Sequence, residues 1–231
     1  MLERDLLADA GPSVPAGQTQ RWADRADLDL CQFRHQTKNA LERINAIVWT
    51  VPGLKSSVAG RQLAREVERR IGLAAQISDA LFGFTQSPGP MEERLRSLAE
   101  ALVALYSDRD QMIQIEVAYA GSCPAALHDV VLRTAHELVA NAIKHGFYAR
   151  LIGCIRLELT SDQQGVKLVI ADDGWGLGHR SGTGQGLRLV RALIEPFGGT
   201  LELQTRDGVT ARLHLPAGTS VARIGEHRSA R

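Results

Sequence analysis

A carboxylate, an amide and two basic side chains lie on one segment at spacings that a helix would bring together. Glu137, Asn141 and His145 follow one another at intervals of four residues, with Lys144 beside them. Residues four apart share one face of an α-helix, so these side chains are predicted to form a single stripe. Such a stripe suits Mg²⁺, through its oxygens, and bound phosphates, through its basic groups. The alternative is an ordinary solvated helix face.

Two glycine clusters follow in the segment DDGWGLGHRSGTGQGL, Asp172 to Leu187. The first cluster contains Gly174 and Gly176, and the second contains Gly182, Gly184 and Gly186. Glycine permits positive φ and close approach of backbone N–H groups to a ligand, and a helix that begins at the second cluster would favour an anion. The spacing fits neither a Rossmann fingerprint nor a Walker motif. The alternative is two tight turns in a surface loop.

The elements that must position these residues begin near Met91. The expected order is a helix, a strand, a long helix, two adjacent strands, a helix with a glycine stop and a closing hairpin with Asp-Gly at its turn. This order predicts an α/β sandwich with helices on one face of a mixed sheet. The predicted domain spans residues 91–218, followed by a polar tail at 219–231.

Residues 27–86 are predicted to form a helical hairpin. Apolar residues recur every three or four positions from Leu30 to Val51 and again from about Val58 to Phe84, with a Pro-Gly break between them. A lone hairpin has little apolar area to bury, so we expect a homodimer in which two hairpins form a four-helix bundle. The predicted class is therefore α+β. Residues 1–26 are expected to be a flexible lead-in, too short for a sensory domain of the usual size.

Composition limits the partners. The chain has 27 Lys and Arg against 26 Asp and Glu, so there is no electrostatic reason to expect nucleic acid or an anionic membrane. The sequence contains neither an apolar run of membrane-spanning length nor a signal peptide, so a cytoplasmic location without membrane insertion is predicted. The cysteines are odd in number and lack Cys-x-x-Cys spacing, which argues against a disulfide framework or a zinc site.

Three ordered motifs resemble those of sensor histidine kinases. HELVANAIKHG resembles the N box, and DDGWGLG with GTGQGLRLV resembles the two G boxes, of the GHKL (Bergerat) ATP-binding fold. Upstream, FRHQTKNAL is similar to the phospho-acceptor H box of the HisKA_2 and HWE families, which read H-x-x-K-N-x-L. The Trp-x-Glu of the HWE group is absent from its expected place, so HisKA_2-like is the better description. The resemblance covers about Leu28 to Pro216.

The resemblance implies a site for ATP and Mg²⁺. Asp172 would bind the adenine amino group, and Asn141 would coordinate magnesium. Glu137 would polarise the attacking imidazole or help to hold the metal. On the adenine side the remaining implied residues are Gly174, Gly176 and Thr210, and Thr210 would bind adenine through a water molecule. Near the phosphates they are Lys144, His145, Gly182, Gly184 and Gly186.

The same resemblance implies that His35 is the phospho-acceptor. Helical geometry places His35 roughly opposite the apolar stripe of its helix, so it is expected to face solvent, where ATP and then a partner's aspartate can reach it. Asn39 matches a position that can orient water for phosphatase activity. Gln36 follows His35 where an acid would supply a general base, so the base is unidentified. The segment between the G boxes is short, so it is expected to close little over the triphosphate.

Three functions follow as alternatives. The first is an ATP-dependent histidine kinase that phosphorylates His35 and transfers the phosphate to an aspartate of a response-regulator receiver domain. The second is a phosphotransferase adapter that relays phosphate between receiver domains without using ATP, which the short lid and the absence of a sensor favour. The third is an anti-sigma serine kinase of the same ATP-binding fold, which would need neither the H box nor the hairpin. Any sensor is expected to be a separate protein or to act on the lead-in.

Overall fold

A computed structural model describes residues 56–83, 89–108, 110–176 and 184–218, together with five helical residues at 41, 43, 44, 46 and 50. Within the four continuous ranges the α-helices are α1 (Val58–Phe82), α2 (Met91–Tyr106), α3 (His128–Asn141) and α4 (Gln185–Ile194). The strands are β1 (Met112–Ala120), β2 (Ile152–Asp162), β3 (Gly165–Asp172), β4 (Thr200–Gln204) and β5 (Val209–Pro216). Short 3₁₀ turns span Ala125–Leu127 and Glu195–Phe197, and a π-helical turn spans Ala142–Gly146.

The five strands form one sheet in the order β1-β2-β3-β5-β4. β1 pairs with β2 in parallel, and the other pairs are antiparallel. Side chains alternate between the two faces of a strand, and the alternate apolar residues of β3 and β5 enter the core. These buried residues are Val166, Leu168, Ile170, Ala211, Leu213 and Leu215. They join α2, α3 and α4 in one continuous core, which confirms the predicted α+β class and the helix-covered mixed sheet.

The closing hairpin has the predicted Asp-Gly turn. Asp207 and Gly208 have φ values of 53° and 117°, the left-handed conformations that a tight turn between β4 and β5 requires. Helix α1 ends two residues before the predicted Phe84, at a left-handed Gly83 cap with φ 63°.

Helix α1 belongs to the predicted hairpin, yet its C-terminal half packs on α2. Ile77 and Ala80 are buried, and the Arg94 guanidinium donates to the carbonyls of Ala80 and Leu81 at 3.1 and 3.2 Å. The N-terminal part of α1 differs, because Val58 is 64% exposed and Leu63 is 57% exposed. Helix α1 therefore packs on α2 along its C-terminal half and exposes two large apolar side chains near its N-terminus.

Most of the predicted first helix of the hairpin lies outside the described residues, as do the lead-in, the tail and most of the predicted linker at residues 85–90. None of the described helices combines the length and the apolar character needed to cross a membrane.

Candidate nucleotide-binding site

Asp172 lies at the end of β3, where its carboxyl group is fixed by the backbone. Its Oδ1 accepts the N–H of Gly174 at 3.0 Å and that of Val209 at 3.3 Å. Burial raises the pKa of Asp172, the two backbone hydrogen bonds oppose that rise, and nearby Asp173 adds to it. With Oδ1 engaged twice, Oδ2 is the oxygen that can accept a hydrogen bond from an amino group of a ligand.

Glycines allow three backbone segments to converge on this carboxyl group. A Cβ on Gly174 would lie 2.5 Å from the Gly146 carbonyl oxygen, and one on Gly146 would lie 3.1 Å from Asp172 Oδ1. A Cβ on Gly208 would collide with the Asp172 carbonyl oxygen. Gly176 has φ 76°, a conformation that favours glycine. The three backbone segments therefore pack closely around the Asp172 carboxyl group and fix its position.

The predicted stripe on α3 faces the start of α4. The opposite face of α3 is core, while Glu137 is partly exposed. A Cβ on Gly186 would lie 2.9 Å from Glu137 Oε2 and 3.1 Å from Asn141 Nδ2. Gly184 is the N-cap of α4, so the unpaired N–H groups of the first helical turn lie beside this stripe. A helix N-terminus next to a carboxylate and an amide fits a phosphate chain with a bound cation.

The metal-binding part of the site contains few protein ligands. Glu137 Oε1 lies 3.3 Å from His136 Nδ1, and the described ranges contain no group of three or more His, Cys, Asp or Glu side chains that could hold a metal ion. Glu137 and Asn141 could supply two oxygen ligands. Mg²⁺ commonly completes its octahedron with phosphate oxygens and water, so this pair fits a magnesium ion that arrives with a nucleotide.

Lys144 and His145 lie on the π-helical turn that continues α3, and both are exposed. The Lys144 ammonium group lies over the Tyr106 ring, 4.1 Å from its centroid. This cation–π contact places Lys144 beside the C-terminus of α2. The widened turn thus changes the direction of the two basic side chains relative to a regular helix.

The structure does not bring Thr210 to Asp172. Val209 is the residue of β5 that pairs with Asp172, and Thr210 pairs with Ala171. Because successive side chains point to opposite faces of a sheet, Val209 shares the helix-covered face with Asp172 and Thr210 projects from the other face. The threonine assignment is displaced by one residue, and Val209 contributes a backbone N–H at that place. The alternation of side chains along β5, counted back from apolar Leu215, predicts that Val209 and not Thr210 lies on the helix-covered face.

Three predicted residues, His35, Asn39 and Gly182, lie outside the described residues, as does most of the segment between the G boxes. Arg150 is not among the predicted site residues, yet its guanidinium group contacts Asp173 next to the predicted adenine ligand. Its position in a turn after α3 gives no motif by which to recognise it.

Residues 128–219 match the family model described as histidine kinase-, DNA gyrase B-, and HSP90-like ATPase. The geometry and this match define the C-terminal part of the chain as an ATPase domain of the GHKL type, and the family implies that it binds ATP. The resemblance read from the N and G boxes is confirmed.

Two curated relatives are sensor histidine kinases named PdtaS. The chain is 26% identical to the protein from Mycolicibacterium smegmatis and 25% identical to that from Mycobacterium tuberculosis H37Rv, with 83% of this chain covered in each case. The chain spans 38% and 40% of the lengths of these two relatives.

A solved structure of similar fold is the histidine kinase domain of the Erythrobacter litoralis EL346 blue-light activated histidine kinase. The TM-score is 0.56 at 18% identity, over 87% of this chain and 99% of that domain. The structure of the Erythrobacter litoralis EL346 kinase itself gives 0.53 at 17% identity, over 84% of this chain and 61% of that one. These likenesses show that the fold is shared.

Proposed function

We propose that this protein is a two-component histidine kinase that uses ATP and Mg²⁺ to phosphorylate His35 and then transfers the phosphate to an aspartate of a response-regulator receiver domain. The observation that carries the proposal is the placement of Asp172 among three closely packed backbone segments and of Glu137 and Asn141 beside the N-terminus of α4. The H-box motif around His35 supplies the acceptor.

Each residue has a distinct task. Asp172 Oδ2 accepts a hydrogen bond from the adenine amino group, and the N–H groups at the start of α4 bind the phosphates. Asn141 and Glu137 hold Mg²⁺. ATP supplies the γ-phosphoryl group. A ring nitrogen of His35 forms the new bond to phosphorus as the bond from the γ-phosphorus to its bridging oxygen breaks and ADP leaves, and the imidazole proton passes to a base. A receiver carboxylate then takes the phosphoryl group and restores the imidazole.

The hairpin at residues 27–86 would form the homodimer, as part of this proposal. Exposed Val58 and Leu63 near the N-terminal end of α1 support it, since large apolar side chains at the surface favour contact with a partner. Light scattering should give twice the mass of one chain, and Leu63→Glu should shift the protein towards monomer. A monomeric wild-type protein at micromolar concentration would contradict this part. A cytoplasmic location completes the proposal.

Incubation with γ-labelled ATP and Mg²⁺ tests the function. The wild-type chain should acquire acid-labile, base-stable label, and His35→Ala should remove it. His227→Ala is the matched control, because it removes a histidine from the predicted tail and should keep the label. Asp172→Asn and Asn141→Ala should abolish labelling while the proteins remain folded.

The outcomes separate the alternatives. Label that survives both Asp172→Asn and Asn141→Ala would overturn the assignment of the ATP site. An absence of label on folded, dimeric wild-type protein would overturn the kinase proposal, and uptake of phosphate from a phosphorylated receiver domain would then identify the adapter.

A further inference from the structure

The loop after Asp172 is attached to the turn that follows α3. The backbone N–H of Trp175 donates to the Gly146 carbonyl at 2.9 Å, and its indole Nε1–H donates to the Tyr148 carbonyl at 2.9 Å. The indole ring is nonetheless 68% exposed, so it is held by directed contacts rather than by burial. Trp175 therefore lies at the surface within three residues of the predicted adenine ligand.

Arg150 makes the other attachment of this loop. Its guanidinium group donates to the Asp173 carbonyl and lies 3.8 Å from the Asp173 carboxylate. The same group lies 5.4 Å from the centre of the Trp175 ring, within cation–π range, and 6.0 Å from that of Phe147. One side chain thus contacts the backbone and the carboxylate of Asp173 and the ring of Trp175.

Arg150 is itself anchored. Its backbone N–H donates to the Phe147 carbonyl at 3.0 Å, and its carbonyl accepts the Gln111 amide at 2.9 Å. Asp173 is fixed from the other side, because its Oδ1 accepts the N–H of Cys154 at 2.8 Å. The guanidinium group therefore connects two fixed pieces of backbone, and its planar fork, which lysine lacks, serves the carbonyl and the carboxylate together.

We propose that Arg150 is a positioning residue that fixes the Asp173–Gly176 loop, and through it the orientation of the Asp172 carboxyl group, so that the preference of this site for adenine depends on Arg150. The inference rests on the proposed ATP site. Arg150 acts through Asp173 and Trp175. Its loss should therefore change recognition of the base and leave recognition of the phosphates as it is.

The test measures the binding of Mg-ATP, Mg-ADP and Mg-GTP to the full chain. Arg150→Gln and Arg150→Lys should both weaken ATP binding about tenfold, the size expected when charge-assisted hydrogen bonds are lost. Both should reduce the preference for ATP over GTP and leave the ratio of ATP to ADP affinity unchanged. Arg96→Gln is the matched control, since Arg96 also contacts a carbonyl and a carboxylate, those of Val117 and Glu92, but on α2.

A spectroscopic measurement reports on the loop directly. The chain has three tryptophans, so the substitutions Trp22→Phe and Trp49→Phe leave Trp175 as the only indole. In that background Arg150→Gln and Arg150→Lys should shift the Trp175 emission and increase its quenching by acrylamide, whereas Arg96→Gln should change neither.

The results distinguish this inference from the proposed function. Folded Arg150→Gln and Arg150→Lys proteins with the wild-type preference for ATP over GTP and unchanged Trp175 emission would overturn the role of Arg150 and leave the ATP site intact. Loss of ATP and ADP binding by equal factors without any change in base preference would also overturn it. A wild-type chain that binds none of the three nucleotides would instead overturn the proposed function.

Discussion

The two ends of the candidate site differ in how far their polar groups are already paired. At the nucleobase end, Asp172 accepts two backbone N–H groups, and Arg150 and Trp175 fix the loop that follows. At the phosphate end, Lys144 lies over a tyrosine ring and His145 is exposed. The nucleobase end is therefore preorganised, whereas under the proposed function Lys144 would have to leave the Tyr106 ring to reach the phosphates.

This difference predicts that substitution of Asp172 causes the largest loss of Mg-ATP affinity. Asp172→Asn should weaken Mg-ATP binding about a hundredfold, because a charged acceptor is lost from a site that cannot adjust. Isothermal titration calorimetry measures the change. Binding within about threefold of wild type would show that Asp172 does not contact the base.

The pKa of Asp172 leads to a second prediction, which concerns the thermal stability of the Asp172→Asn variant. Because burial raises the pKa of Asp172, folding favours its protonated form, and this stabilising contribution is lost as pH rises through the native pKa. Asp172→Asn should therefore melt at the same or a higher temperature than wild type at pH 7, while ATP binding is lost. A large drop in the melting temperature would mean that the carboxylate is needed for folding.

Asn141→Ala should have the next largest effect, at the phosphate end. Removal of a metal ligand should weaken Mg-ATP binding by about tenfold and leave binding of ATP in EDTA nearly unchanged. The comparison of the two conditions is the measurement. An equal loss of ATP affinity with and without Mg²⁺ would mean that Asn141 contacts the nucleotide and does not coordinate the metal.

Tyr106→Leu should have a smaller effect of opposite sign. If Lys144 leaves the ring to reach the phosphates, removal of the ring should tighten Mg-ATP binding by about threefold, in line with the energy of an exposed cation–π contact. The same substitution in a Lys144→Met background should have no effect, which a double-mutant cycle measures. A gain that persists without Lys144 would contradict this explanation.

The smallest effect is expected for Thr210. Because its side chain projects from the face opposite Asp172, Thr210→Val should change ATP affinity by less than about twofold, within the range of surface substitutions. Val209→Thr, which places a hydroxyl on the same face as Asp172, is the comparison. If Thr210→Val weakens ATP binding by more than Val209→Thr changes it, Thr210 would again be assigned to the adenine side of the site.

Local patterns predicted the framework of this site. The four-residue spacing of Glu137 and Asn141 placed both side chains on one face of α3. The glycines before Leu187 located the start of α4. Each of these features depends on the period of one helix or strand, which a sequence displays directly.

The rest depends on contacts between distant residues. Thr210 was placed wrongly because a register shift of one residue turns a side chain to the other face of the sheet, and the register is set by pairing with β3. Arg150 and Asp173 are 23 residues apart, and the turn between them has no motif. The packing of α1 on α2 was missed for the same reason, since Arg94 reaches Ala80 across the predicted linker.

The most direct test of the central claim is to locate the phosphate. The wild-type chain is incubated with Mg-ATP, digested at alkaline pH and mapped by tandem mass spectrometry, with Asp172→Asn treated in parallel. The account predicts phosphohistidine at His35 in the wild type and none in the variant. Phosphate on another residue, or phosphate at His35 that does not depend on Asp172, would contradict it.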